Sequence, residues 1–202
     1  MSMFLGQINR VGDPIPFEAD PNLPVIPAIA RGRTNCGDID MRIAMDGTWF
    51  HEGTPIGRRE LVKLFAKVLT RDRAGRYWLV TPAEMARIQV EDAPFMAVEM
   101  TVGGVGREQV LTFRTNVDEI VVADKDHPIR IETNLVTGEP SPYVVVRPRM
   151  DARLVRSVYY DLVSQGTEEK KNNESVFGIW SSGVFFPIGT LDEDGEDEVF
   201  GK

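Results

Sequence analysis

The side chains in this sequence with chemistry to offer are two histidines, a few paired carboxylates and several arginines on strand-like segments. His51 stands beside Glu52, but a zinc-protease motif needs His-Glu-x-x-His on a helix, and Gly53 and Thr54 follow here. His51 could act as a general base if a carboxylate orients it, with Glu52 or Asp46 nearest in sequence. Glu91-Asp92 is a paired acidic step, and two carboxylates run acid–base chemistry when their surroundings split their pKa values. A hydrolase-like enzyme using His51 with Glu91 or Asp92 is therefore one reading. The plainer expectation is that Glu91 and Asp92 cap a turn or meet arginines, for which Arg114, Arg130 and Arg147 are available. Gly103-Gly-Val-Gly106 lacks the Gly-Lys-Ser/Thr ending of a phosphate loop and leads into a strand pattern, so a hairpin is expected there.

The arginines suggest a different chemistry. Arg114 in Phe113-Arg-Thr-Asn116 and Arg130 in His127-Pro-Ile-Arg130 alternate with apolar neighbours, so each projects from one face of a sheet. Guanidinium groups present a planar fork to carboxylates and phosphates. Arg114, Arg130 and Arg147 are expected as anion partners, His51 and Asn116 as hydrogen-bonding groups, and Trp49 as an aromatic wall. Glu91, Asp92 and His127 complete this candidate ligand site. Arg147, Arg149, Arg153 and Arg156 also cluster at a strand-to-helix junction and could form a local anion patch. No metal or cofactor is assigned, because the possible ligands His51 and His127 lie far apart in the chain.

Two related strand–helix–strand stretches must position these groups. Arg59 to Leu69 is helical in pattern, follows a strand holding Trp49 and Phe50, and precedes Tyr77-Trp-Leu-Val80. Arg153 to Val163 repeats the pattern between Tyr143-Val-Val-Val146 and Phe177-Gly-Ile-Trp180. Thr54-Pro55 is expected to open the first helix, and Thr81-Pro-Ala-Glu84 reads as a capping box before a short helix or turn. The second helix is expected from about Asp151 to Ser164, with Gly166 as a left-handed cap. Residues 88 to 147 read as successive β-strands. The fold class is α+β: two related strand–helix–strand units, the C-terminal one a pleckstrin-homology-like antiparallel barrel closed by one helix. A ligand site is expected where the two copies meet.

Composition narrows the classes. The chain has 202 residues, 42% of them hydrophobic, enough for a sizeable core. Net charge is −8, much of it between Asp192 and Glu198, which argues against general nucleic-acid binding. No apolar run approaches the ~20 residues of a membrane helix. Cys36 is the sole cysteine and is expected to be a bystander thiol in a reducing, cytoplasmic compartment. The expected organisation is a proline-rich extended arm over 1–37, an N-terminal α+β unit over 38–87, a C-terminal unit over 88–190 and an acidic tail over 191–202.

Several ordered blocks carry a family resemblance. They are Asp46-Gly-Thr-Trp-Phe-His-Glu-Gly-Thr-Pro-Ile56, Leu79-Val-Thr-Pro82, Val90-Glu-Asp-Ala-Pro-Phe95 and Phe113-Arg-Thr-Asn-Val117. With them go His127-Pro-Ile-Arg130, Gly138-Glu-Pro-Ser-Pro-Tyr-Val144 and Gly178-Ile-Trp-Ser-Ser-Gly-Val-Phe-Phe186. Together, over roughly residues 20 to 190, they resemble the uncharacterised bacterial proteins known as domain of unknown function 1285. The resemblance implies a duplicated α+β core with a pleckstrin-homology-like C-terminal half, and a signalling or ligand-sensing role with no catalytic residues to carry over. The expected function is a non-enzymatic small-ligand-binding protein in signal transduction, the ligand a nucleotide or other anion. A protein–protein adaptor working through an exposed strand edge, the arm or the tail is the third reading.

Overall fold

A computed structural model describes residues 32–133, 138–171 and 174–190. They are mostly β with two helices and divide into two compact units, the first holding the described residues up to Met96 together with Arg147–Asp151, the second holding those of Ala97–Val146 and those from Ala152 to residue 190.

In the first unit the element order is β1 (Thr34–Ile43), β2 (Trp49–His51), β3 (Thr54–Pro55), α1 (Arg59–Val68), β4 (Leu69–Arg71), β5 (Tyr77–Val80) and β6 (Glu84–Val90). These strands form one sheet in the order β3-β2-β1-β6-β5-β4. Its central pair, β1 with β6, is parallel, and its other pairs are antiparallel. The β1–β2 turn forms as Asp46-Gly47 demands: Gly47 has φ 80°, and the Asp46 carboxylate accepts the Thr48 amide at 2.9 Å. Helix α1 buries Phe65 and Ala66, and Phe65 stacks on Trp49 at 6.1 Å between ring centroids. Met41, Ile43, Leu79, Ala86 and Ile88 are buried on the strands.

Two expectations fail here for physical reasons. Thr54-Pro55 does not open the helix; it pairs with Phe50 and His51 as an edge strand, where proline's missing amide breaks no ladder. At Thr81, the side-chain oxygen accepts the Glu84 amide at 3.0 Å, as a helix cap would, but β6 follows. Met85, Ala86 and Ile88 are buried in a strand paired on both sides, and that pairing overrides the local signal. The expected boundary between residues 87 and 88 falls inside β6. Thr34 to Gly37, placed in the arm from sequence, belong to β1; the rest of the arm up to residue 31 and the acidic tail lie outside the described residues.

The remaining elements are β7 (Phe95–Gly103), β8 (Val110–Thr115), β9 (Ile120–Val122), β10 (Ile129–Thr133), β11 (Pro140–Arg147), β12 (Met150–Leu154), α2 (Arg156–Ser164), β13 (Thr167–Lys171), β14 (Glu174–Ser181) and β15 (Val184–Thr190), and apart from Phe95, Met96 and Arg147–Asp151 they belong to the second unit. A six-stranded sheet runs β10-β11-β12-β7-β8-β9, and a three-stranded sheet runs β13-β14-β15. The β7–β8 hairpin forms at the glycine run, where Gly104 has φ 70° and an added Cβ would lie 2.7 Å from the Glu108 carbonyl oxygen. Residues 151 to 154, expected in the second helix, are strand; the chain turns at Arg149 with φ 64° and α2 starts at Arg156. Gly166 is not left-handed. It is small because Phe177 lies over it, with the ring Cζ 2.2 Å from where a Cβ would stand.

Candidate functional site

Trp49 and His51 lie two residues apart on β2, so their side chains share one face of the strand. Trp49 is 1% exposed and packs in the core rather than forming an open wall. Its indole Nε1–H is buried and has no hydrogen-bond acceptor among the described residues. Buried donors are seldom left unpaired, because an unmade hydrogen bond there costs about 1–3 kcal/mol. His51 is half-buried, and no hydrogen bond of its ring is found among the described residues.

The carboxylate proposed to work with His51 is engaged elsewhere. Glu91 follows β6, pairs with the Arg42 guanidinium through Oε1 and accepts the Met45 amide through Oε2 at 2.9 Å. It thereby clamps the β1–β2 turn, which accords with the turn-and-arginine expectation, though the arginine is Arg42. Asp92 is half-buried and engaged. Arg147 donates from Nη1 to the Ala66 carbonyl at 2.8 Å and lies over the Phe95 ring at 5.2 Å. Ala66 sits in the last turn of α1, where its carbonyl also accepts the Leu69 amide and a nearby cation is favourable.

In the second unit the arginines are held locally. Arg114 meets Glu99 directly across the β7–β8 ladder at 2.6 Å and Asp118 at 3.2 Å. The hydrogen bond to Glu99 is the main reason its pKa rises above the usual arginine value. Arg130 pairs with Glu132 at 3.1 Å and covers the Tyr143 ring at 4.8 Å. Asn116 lies in the β8–β9 turn and is also engaged. His127 donates its backbone amide to Asp124 at 2.8 Å, and its Nδ1 lies 3.1 Å from the same oxygen. Partial burial works to raise the Asp124 pKa, but the amides of His127 and Asp126 bring it below the ordinary carboxylate range. Of the junction arginines, Arg153 reaches Ser141, Arg156 is exposed, and the Arg149 carbonyl accepts from Arg71. No group of three or more potential metal ligands occurs among the described residues.

One network escaped the sequence reading. Asp72, 1% exposed, accepts the Arg76 amide at 2.9 Å, Arg76 Nε at 2.7 Å and Trp78 Nε1 at 3.0 Å. The Arg76 guanidinium lies over the Trp78 ring, and its Nη2 is a second buried donor without a partner among the described residues. The Asp72…Arg76 spacing across the Gly75 turn was the available signal.

Comparisons with known proteins bear on the whole described chain. A family model described as "Domain of unknown function (DUF1285), N-terminal domain" matches residues 32–93, and one described as "Protein of unknown function (DUF1285), C-terminal domain" matches residues 94–188. A crystal structure of a DUF1285 family protein from Silicibacter pomeroyi DSS-3 is 47% identical, with a TM-score of 0.74; the match covers 84% of this chain and 90% of that one. A second, from Shewanella baltica OS155, is 25% identical with a TM-score of 0.50, covering 63% of this chain and 92% of that one. No curated protein matches. No helix among the described residues is long and apolar enough to cross a membrane.

Proposed function

The chain belongs to the DUF1285 family, and from that premise we propose that it is a non-enzymatic protein that binds a small, acceptor-rich ligand and signals its presence. The observation that carries this reading is the orphaned Nε1–H of Trp49, on the same strand face as the His51 ring. A buried donor beside a second polar group suits a carboxylate, a phosphate or a nucleotide. The Trp49 ring stacks on Phe65, so an acceptor on Nε1 acts on β2 and α1 together. That coupling gives ligand binding a route into the fold and supports a role in signal transduction.

The wider architecture favours internal duplication. Three strands, a helix and three strands occur as β1–β6 around α1 and again as β10–β15 around α2. The aromatic segments paired by sequence occupy equivalent places: Trp49 and Tyr143 lie in the second strand of each series, Tyr77–Val80 and Phe177–Trp180 in the fifth. A pleckstrin-homology-like reading of the second unit draws on the strands preceding α2, while β13–β15 extend beyond a barrel closed by a terminal helix.

A thermal-shift series with nucleotides, sugar phosphates and organic acids tests the binding reading, since a ligand of the folded state raises the melting temperature by mass action. At a ligand concentration of about 100 Kd the gain is about 2.7 kcal/mol. A saturable shift that is lost in both Trp49→Phe and His51→Ala supports the site. A shift that persists in both variants, or no shift with any compound, overturns it.

A further inference from the structure

Strand β9 ends the six-stranded sheet, and its register shows which backbone groups face outward. The Thr115 amide bonds the Glu119 carbonyl and the Ala123 amide bonds the Leu111 carbonyl, each at 2.9 Å. Phe113 and Val121, midway between these pairs, are therefore the hydrogen-bonded pair of the ladder. Ile120 and Val122, opposite Arg114 and Thr112, are the non-bonded positions, so their N–H and C=O groups point away from β8. Their side chains are also open, 59% and 37% exposed, while Val121 between them is buried.

We propose that this edge receives an extended segment of a partner protein as an added antiparallel strand, and that the segment is apolar at alternate positions with basic residues at its ends. Two N–H and two C=O groups of Ile120 and Val122 would supply the main-chain bonds, and their side chains would set the alternation. The basic flanks follow from charge. Asp118 and Glu119 precede the open residues, and Asp124 and Asp126 follow them, against Lys125 and the Arg114 that pairs with Asp118, so the excess at this edge is negative. The same charges disfavour a second copy of this chain, because antiparallel self-pairing sets Asp118 and Glu119 against Asp124 and Asp126 of the other strand. This inference is independent of the Trp49–His51 reading and concerns the second unit only.

The probe is a fluorescent peptide, Lys-Lys-Val-Thr-Val-Thr-Lys-Lys, titrated against the full chain by anisotropy. Its controls are the peptide with every lysine replaced by glutamate and one with N-methylated valines. Val122→Pro is the informative variant: the Val122 amide faces outward, so proline there leaves the β8–β9 bonds intact while removing a donor from the edge. Binding of the basic peptide, at least tenfold weaker in Val122→Pro, absent with both control peptides and reduced between 50 and 500 mM salt, supports the proposal. Circular dichroism and melting temperature verify that Val122→Pro is folded; if it is not, loss of amide signals for Ile120 and Val122 on peptide addition to the wild-type chain serves as the readout. Equal binding of the glutamate peptide overturns the proposal. So does the absence of binding at millimolar peptide, which would leave the carboxylates as guards against edge aggregation, and so does self-association in place of peptide binding.

Discussion

Replacing Asp72 with alanine is expected to destabilise the protein by about 3 kcal/mol, with a fall in melting temperature on the order of 10 °C. The carboxylate is almost fully buried and receives three hydrogen bonds, so its removal strands the Trp78 Nε1–H and the Arg76 side chain together. The lower end of the range for breaking a buried pair applies because the Arg76 side chain is 28% exposed and regains some water. Asp72→Asn keeps the shape and one acceptor, and should cost less. The pH dependence separates charge from packing. Burial acts to raise the Asp72 pKa, but the Arg76 amide, Trp78 and the Arg76 guanidinium outweigh it, and the net shift is downward. A lowered folded-state pKa contributes stability that is present above the unfolded value near 3.8 and is lost as pH falls through the folded value. The advantage of the wild type over Asp72→Asn should therefore be full at pH 6 and shrink below about pH 4. Urea unfolding at a series of pH values measures it; an advantage that stays constant down to pH 2 removes the charge from the explanation.

Gly178→Ala is the second large effect. An added Cβ would stand 2.4 Å from Phe185 Cζ and 2.6 Å from the Phe186 carbonyl oxygen. Overpacking costs about 1–3 kcal/mol when side chains can adjust, and a backbone oxygen cannot rotate away, so the upper end or beyond is expected. Gly166→Ala gives the contrast, since its three closest contacts are all atoms of the Phe177 ring. Shortening the ring with Phe177→Leu should recover most of the Gly166→Ala loss, whereas Phe185→Leu should leave Gly178→Ala impaired by the Phe186 carbonyl. Double-mutant cycles in urea report the difference as a coupling energy. Equal recovery at both glycines would show that the strand moves to admit the extra carbon.

These positions also mark the reach of the sequence. Phe65 and Trp49 were legible as apolar helix and strand positions, and the glycine run at 103–106 declared its hairpin through its own chemistry. Gly166 did not declare its role, because a glycine after a helix satisfies either a left-handed turn or a close ring, and the ring belongs to Phe177 on β14. Arg114 shows a subtler limit. It faces Glu99 only because the β7–β8 register shifts between Ala97, opposite Thr115, and Glu99. Without the bulge, Glu99 would oppose Phe113, and alternation alone cannot reveal one extra residue. Arg147 was legible as an available cation but not as the partner of Ala66, a carbonyl 81 residues away in the chain. Trp49 was expected as an aromatic wall, yet it lies in the core, and the unpaired state of its indole depends on what surrounds it in three dimensions.

The hairpin tip from Arg147 to Asp151 has a consequence for the order in which the protein is made. The first unit includes those five residues, although the rest of it ends at Met96. A ribosome must extend the chain by roughly fifty-five further residues before the set is complete, which takes about 3–10 s at ordinary elongation rates. During that interval the Ala66 carbonyl waits in the last turn of α1 without Arg147, and Arg71 without the Arg149 carbonyl. The part that emerges first is thus finished late, and a chain terminated between residues 91 and 146 carries all of β1–β6 without the residues that complete their unit.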